Sequence, residues 1–225
     1  IVTENQEKSL ENFFSDKSQN TLTSTEKAQM ITEIILGMRY LHSMNIPHKN
    51  LNPASIYLTK TGNHAKISDI GTSEFNTNSA FISPELAKKM KEDNKDSSND
   101  DKNATIEFNK KCDIFAFGCL LYYILSDGSA PSVNLLSDDK NKFNDLALEI
   151  IRMCWTPTNE GNKTTFNDIL EKLKYANFQI AKDVCVEAIE KTLFEVDYFE
   201  QKQLQIKQRY NLQRLNKGQN QGQNQ

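Results

Sequence analysis

His48-Lys49-Asn50-Leu51-Asn52-Pro53-Ala54-Ser55-Ile56 is the stretch that decides the reading of this chain. Among its polar positions, Asn50 and Asn52 carry amides and Ser55 a hydroxyl. Asn50 has no carboxylate to accept a proton, Asn52 offers no cation, and Ser55 could ligate a metal only through its hydroxyl. Upstream, Thr23-x-x-Glu26 is a capping box. Met30, Ile31, Ile34, Ile35, Met38 and Leu41 then recur at helical spacing, which predicts a helix over 25–42 with a wide apolar face. Gly37 inside it would allow close packing. Ile46-Pro47 breaks that helix into the loop. Downstream, Ile56-Tyr57-Leu58 and Ala65-Lys66-Ile67 are short strands joined by Lys60-Thr61-Gly62-Asn63, a turn signal, so a small hairpin is expected. The quoted residues therefore form a polar loop between a helix and a hairpin.

That loop resembles the catalytic loop of eukaryotic protein kinases, H-R-D-L-K-P-E-N-I, with its working residues changed. His48, Leu51, Pro53 and Ile56 keep the apolar and structural positions. Asn50 stands at the catalytic Asp, Asn52 at the Lys that approaches the transferring phosphate, and Ser55 at the metal-binding Asn. Further landmarks follow in family order. Ile1-Val2-Thr3-Glu4 resembles the strand-to-hinge segment of tyrosine and tyrosine-kinase-like kinases. Lys66-Ile67-Ser68-Asp69-Ile70-Gly71 resembles K-I-x-D-F-G, and Ile82-Ser83-Pro84-Glu85 resembles the A-P-E that closes the activation segment. Asp113-Ile114-Phe115-Ala116-Phe117-Gly118 and Cys154-Trp155-Thr156-Pro157, with Lys163 and Phe166, resemble D-V-[YF]-S-F-G and C-W-x-P…R-P-[ST]-F.

The resemblance implies the large, mainly helical lobe of a protein kinase, mainly α with a small β-hairpin, over 1–176. It implies that the small lobe is absent: the first glycine is Gly37, so no Gly-rich phosphate loop precedes the hinge. Thr3, Glu4 and Gln6 match gatekeeper and hinge positions whose backbone pairs with adenine. Asp69 matches the Asp that holds Mg²⁺; a carboxylate ending a strand is the alternative, and the one favoured here. ATP and Mg²⁺ are expected only if a small lobe is supplied. His48 is a tempting acid–base group, but the resemblance makes it structural, its backbone held by Asp113. His42 and His64 read as surface residues. Glu85 and Lys163 match a buried Glu–Arg pair, which Lys cannot reproduce with a bidentate fork. The span from Asp69 to Glu85 is short for an activation segment; Thr72, Ser73, Thr77 and Ser79 within it could be phosphorylated.

Composition narrows the alternatives. With 225 residues the chain can bury one real core. A hydrophobic content of 37% and a mean hydropathy of −0.64 reflect polar inserts and a polar tail. A net charge of −3 leaves no electrostatic footprint for nucleic acid. Cys112, Cys119, Cys154 and Cys185 lack C-x-x-C spacing and read as reduced thiols, not as a zinc site or disulfide frame. The N-terminus has no basic signal-peptide region, and the apolar run 114–125 is too short to span a bilayer. A cytoplasmic protein is expected.

Residues 88–111 are dominated by Lys, Asp, Asn, Glu and Ser, and a disordered insertion is expected there. The run 113–125 is apolar almost all round and predicts a buried helix. Helices are also expected over 143–154 and after the cap Thr165-x-x-Asp168. A helical C-terminal extension is expected over 177–216, from Ala181 onward, followed by a Gln/Asn/Gly-rich disordered tail over 217–225. The leading expectation is a pseudokinase-type regulatory or interaction module with a protein partner, and with self-association through the 177–216 helix as a further option. The alternatives are a divergent ATP-dependent Ser/Thr or tyrosine-kinase-like kinase whose small lobe lies outside this chain, and a truncated product without function.

Overall fold

The computed structural model describes residues 8–16, 21–59, 63–71, 79–92, 102–131, 143–156 and 163–194. The chain divides into two compact units, Ile1–Val186 and Glu187–Gln225. The first runs β1 (Lys8–Ser9), α1 (Leu10–Ser15), α2 (Ser24–Ser43), β2 (Ile56–Leu58), β3 (Ala65–Ile67), α3 (Pro84–Glu92), α4 (Lys102–Leu125), α5 (Asp145–Trp155) and α6 (Phe166–Tyr175). Single 3-10 turns lie at Pro53–Ser55, within the loop 48–56, and at Ser79–Phe81, ahead of α3.

Each helix start is written in the local sequence. The Thr23 hydroxyl accepts from the Glu26 N–H at 3.2 Å, and the Thr23 N–H donates to the Glu26 carboxylate at 2.8 Å. Burial opposes ionisation of Glu26, but hydrogen bonds from Thr23 and Asn63 outweigh it and hold its pKa below the ordinary value. Thr165 and Asp168 repeat the reciprocal cap on α6, and Asn144 caps α5 through the Ala147 N–H. Ser83 caps α3 by accepting from the Leu86 N–H at 3.1 Å, and Pro84 takes the first helical position, where its missing N–H costs nothing.

The hairpin forms as expected: β2 and β3 pair antiparallel with Ile56 opposite Ile67 and Leu58 opposite Ala65. A third strand joins it, β1, with Lys8 opposite Leu58. Two residues carry no periodicity, so only the partner strand reveals it. Leu10, Phe13 and Phe14 of α1 are buried beside it.

Helix α4 is the axis of the core. Every residue from Ile114 to Ile124 except Phe115 is buried, at about 1.5–3 kcal/mol per large apolar side chain removed from water. It packs on α5, and α2 packs on α6. Phe166, at the start of α6, meets Phe117 edge-to-face at 5.3 Å and the His42 ring at 5.0 Å, tying α6 to α4 and α2. Cys112, Cys119 and Cys154 are buried free thiols. Burial pushes Cys112 up to about 11 and Cys119 up to about 12, so both stay protonated at neutral pH.

The expected disordered insertion over 88–111 needs correction. Residues 88–92 complete α3, and 102–111 are the first turns of α4; 93–101 lie outside the described residues. The polar composition hid two anchors. Lys89 lies over the Phe108 ring at 5.2 Å, and the Lys110 ammonium donates to the Asn45 side chain at 2.8 Å. The C-terminal helix also starts later than expected: 181–185 forms a turn, with Asp183 at φ 60, and helix begins at 186. In the second unit 187–194 is helical, with the Thr192 hydroxyl bonded back to the Ala188 carbonyl. The rest of the expected extension and the tail at 217–225 lie outside the described residues.

Two helix glycines predict opposite outcomes. A Cβ on Gly37 would meet only the flexible end of Ile67, at 2.7 Å from Cδ1. A Cβ on Gly118 would meet Cys154 Cβ at 2.6 Å and the Trp155 indole at 2.8 Å. Gly37→Ala is expected to fall within about 1 kcal/mol of the parent, because helix propensity offsets a small shift of Ile67. Gly118→Ala is expected to lose about 1–3 kcal/mol by overpacking α4 on α5. Urea unfolding of both variants measures the contrast; equal losses would contradict it.

Candidate functional site

The loop 48–56 hangs between two anchors. Asp113, 1% exposed near the middle of α4, accepts the backbone N–H of His48 at 2.7 Å and of Lys49 at 2.8 Å. Lys49 adopts φ 74, a left-handed turn that aims consecutive N–H groups at one carboxylate. The other anchor is the 3-10 turn at Pro53–Ser55, whose Ser55 carbonyl accepts from Ser68 N–H at 2.9 Å beside β3. The structural role expected of His48 holds at its backbone. Its ring is also buried: Nε2 lies 2.8 Å from the Ser68 carbonyl and Nδ1 accepts from the Asn50 N–H at 3.3 Å. A neutral ring carrying its proton on Nε2 satisfies both contacts.

Burial holds the His48 pKa below its ordinary value, although the nearby Asp113 carboxylate pulls the other way. The unfolded chain therefore binds the proton more readily, and stability falls as pH drops below about 6.5. Urea midpoints are expected to be lower at pH 5.5 than at pH 7.5, and His48→Gln is expected to flatten that difference. An unchanged pH dependence in the variant would assign the effect elsewhere.

His42 is not the surface residue expected from sequence. Its Nε2 lies 2.9 Å from Asp113 Oδ2, with the side chain 13% exposed. It is a third partner of the same carboxylate, and its place in the last turn of a helix leading directly into the loop was the available signal. His64 is exposed, as expected, and pairs with Glu33 at 2.6 Å.

Inside the loop the side chains bond to one another. Asn52 is 4% exposed. Its Nδ2 donates to the Asn50 carbonyl at 2.8 Å and to Asn50 Oδ1 at 3.0 Å. Its Oδ1 accepts from the Ala54 N–H at 2.8 Å. The Ser55 hydroxyl accepts from the Asn52 N–H at 3.1 Å and donates to the Asn52 carbonyl at 2.9 Å. The structure thus brings Asn50, Asn52 and Ser55 together, in a hydrogen-bonded network that sequence spacing did not reveal. Beside it a small cleft, with about 10 Å³ of free space and so room for about one water, is lined by Lys49, Asn50, Asn52, Ser83, Leu86 and Cys112, among others.

Asp69 ends the segment after β3 with φ 57, is exposed, and accepts from the Ser68 hydroxyl at 2.9 Å. Mg²⁺ prefers octahedral oxygen coordination through one or two carboxylates plus phosphate. Ser55, the loop's other candidate ligand, is buried with its hydroxyl already donating and accepting, so this pair of residues does not fit the ion as it stands. Among the described residues no group of three His, Cys, Asp or Glu side chains could hold a metal ion. Thr3, Glu4 and Gln6, and Thr72, Ser73 and Thr77, lie outside the described residues, as does the side chain of Ser79. Glu85 and Lys163 are not joined among the ion pairs of the described residues, and Lys163 is exposed. No described helix is long and apolar enough to cross a membrane.

The geometry of the loop and its α4 anchor agrees with a family-level match. The model of the family described as protein tyrosine and serine/threonine kinase covers residues 1–173. The chain belongs to the protein kinase family. Within this kinase family its curated relatives are distant. It is 33% identical over 117 residues to the probable serine/threonine-protein kinase ireA of Dictyostelium discoideum, covering 50% of this chain and 11% of that protein. It is 26% identical over 161 residues to G protein-coupled receptor kinase 2 of Caenorhabditis elegans, covering 67% of this chain and 20% of that protein. It is 28% identical over 178 residues to the probable serine/threonine-protein kinase irlA of Dictyostelium discoideum, covering 68% and 12%. The kinase-like chain thus spans between about a tenth and a fifth of the length of these relatives.

Proposed function

We propose that this kinase domain is a pseudokinase-type regulatory or interaction module, of the tyrosine-kinase-like type, that does not transfer phosphate. One observation carries the reading: inside the loop the Asn52 amide donates to Asn50, and the Ser55 hydroxyl bonds to the Asn52 backbone. Phosphoryl transfer relies on positioning the acceptor hydroxyl and on neutralising charge with metal and cation. A loop with amides at 50 and 52 lacks both the carboxylate and the cation for this. Its partner is a protein, bound through a presented surface, and the 177–216 extension is the candidate for partner binding or self-association.

A second reading is a divergent serine/threonine kinase, favoured by the retained Asp69 and by the kinase names of the relatives. Nucleotide separates the two. Under the module reading 1 mM Mg-ATP leaves the melting temperature unchanged, because a ligand stabilises only what it binds. Saturation at 100 times Kd would add about 2.7 kcal/mol. A rise in melting temperature that Asp69→Ala removes would favour the second reading.

A further inference from the structure

We propose that Asn50 and Asn52 act together as a latch that keeps the loop closed, a neutral pair standing where the family carries a carboxylate and an ammonium. The inference rests on the non-catalytic reading only for its meaning; its evidence is geometric. The loop is pinned at one end by Asp113 through the N–H groups of His48 and Lys49, and at the other by Ser55 and Ser68. Between these anchors Leu51 is buried, and the polar side chains that close the turn are Asn50 and Asn52. Both oxygens of Asn50, backbone and side chain, accept from the one Asn52 amide nitrogen, and the Asn52 carbonyl oxygen holds the Ala54 N–H. A carboxamide can donate twice and accept at once from a single position. A serine, threonine or aspartate at 52 lacks that combination.

The burial of Asn52 makes the two positions interdependent. A lysine at 52 would bring an ammonium into a site with little water, against the neutral Asn50 Oδ1. Such a charge is costly unless it is paired. An aspartate at 50 would still accept from the Asn52 amide and would supply the anion a lysine needs. Asn50→Asp is therefore tolerated alone, whereas substitution at 52 depends on what stands at 50.

A double-mutant cycle in the whole protein tests this, with unfolding equilibria and amide exchange as readouts. Asn52→Ala is expected to speed exchange of the Ala54 amide about tenfold, the upper end for losing one hydrogen bond. Asn52→Lys is expected to raise the unfolding constant at least about tenfold, and adding Asn50→Asp should recover most of that. If Asn52→Lys does not fold, the Asn50→Ala and Asn52→Ala cycle decides. The latch requires the second alanine to cost less than it does alone. Effects that multiply to within about twofold, or unchanged Ala54 exchange in Asn52→Ala, would overturn the latch. Phosphate transfer by the parent protein would overturn the functional reading and leave this cycle intact.

Discussion

Asp113→Ala is expected to cost about 3–5 kcal/mol of folding stability, a large share of the roughly 5–15 kcal/mol available to a domain. The carboxylate is 1% exposed and accepts from two backbone N–H groups and stands 2.9 Å from a histidine ring nitrogen. Alanine removes the acceptor and leaves the buried His48 N–H unsatisfied, at about 1–3 kcal/mol, and the part-buried Lys49 N–H without its charged acceptor. It also strips the His42 ring of its partner in the half-buried space beside Phe166. His42→Ala removes only the ring contact and spares both backbone bonds, so a loss of about 1–2 kcal/mol is expected. Urea unfolding of the two variants at pH 7.5 measures the ratio. An Asp113→Ala protein within about 1 kcal/mol of the parent would mean that the loop is held by other contacts.

The order of secondary structure was legible because it rests on local rules. Thr23-x-x-Glu26 and Thr165-x-x-Asp168 cap helices through their own first turns, so four residues suffice to place each start. The apolar spacing of Met30, Ile34 and Met38 and the continuous run from Ile114 record burial directly. Elements held by distant partners were not legible. Strand β1 exists because Leu58 and Tyr57 offer it a ladder. The first turns of α4 read as part of a disordered polar insertion, yet Phe108 and Lys110 are anchored by Lys89 and by Asn45, far from them in sequence.

The site divides the same way. The identities of Asn50, Asn52 and Ser55 announced a changed chemistry, and the resemblance placed Asp113 under His48. The mutual bonding of the three loop residues required coordinates, because a side chain can bond within its own loop or face solvent from the same sequence. His42 shows the limit most clearly. Its place in the last helical turn before the loop was a signal, but that place alone does not separate an exposed helix-end histidine from one aimed at a carboxylate 71 positions later.

The largest expected effect is on catalysis. General-base assistance is worth about 10²–10⁴ in rate, and Asn50 has no carboxylate to provide it. Charge stabilisation beside the transferring phosphate falls as well, because Asn52 is neutral and its amide is engaged with Asn50 and Ala54. Losses of this kind compound, so transfer by the parent protein is expected to be indistinguishable from background. The direct measurement is transfer of radiolabelled γ-phosphate from ATP, with Mg²⁺ or Mn²⁺, to generic protein acceptors by the full-length protein, its Asn50→Ala variant and a variant altered at an exposed site such as Tyr175→Ala. The expected result is the same background signal from all three. Turnover by the parent and by Tyr175→Ala that disappears in Asn50→Ala would show that the loop is catalytic and would contradict the assignment.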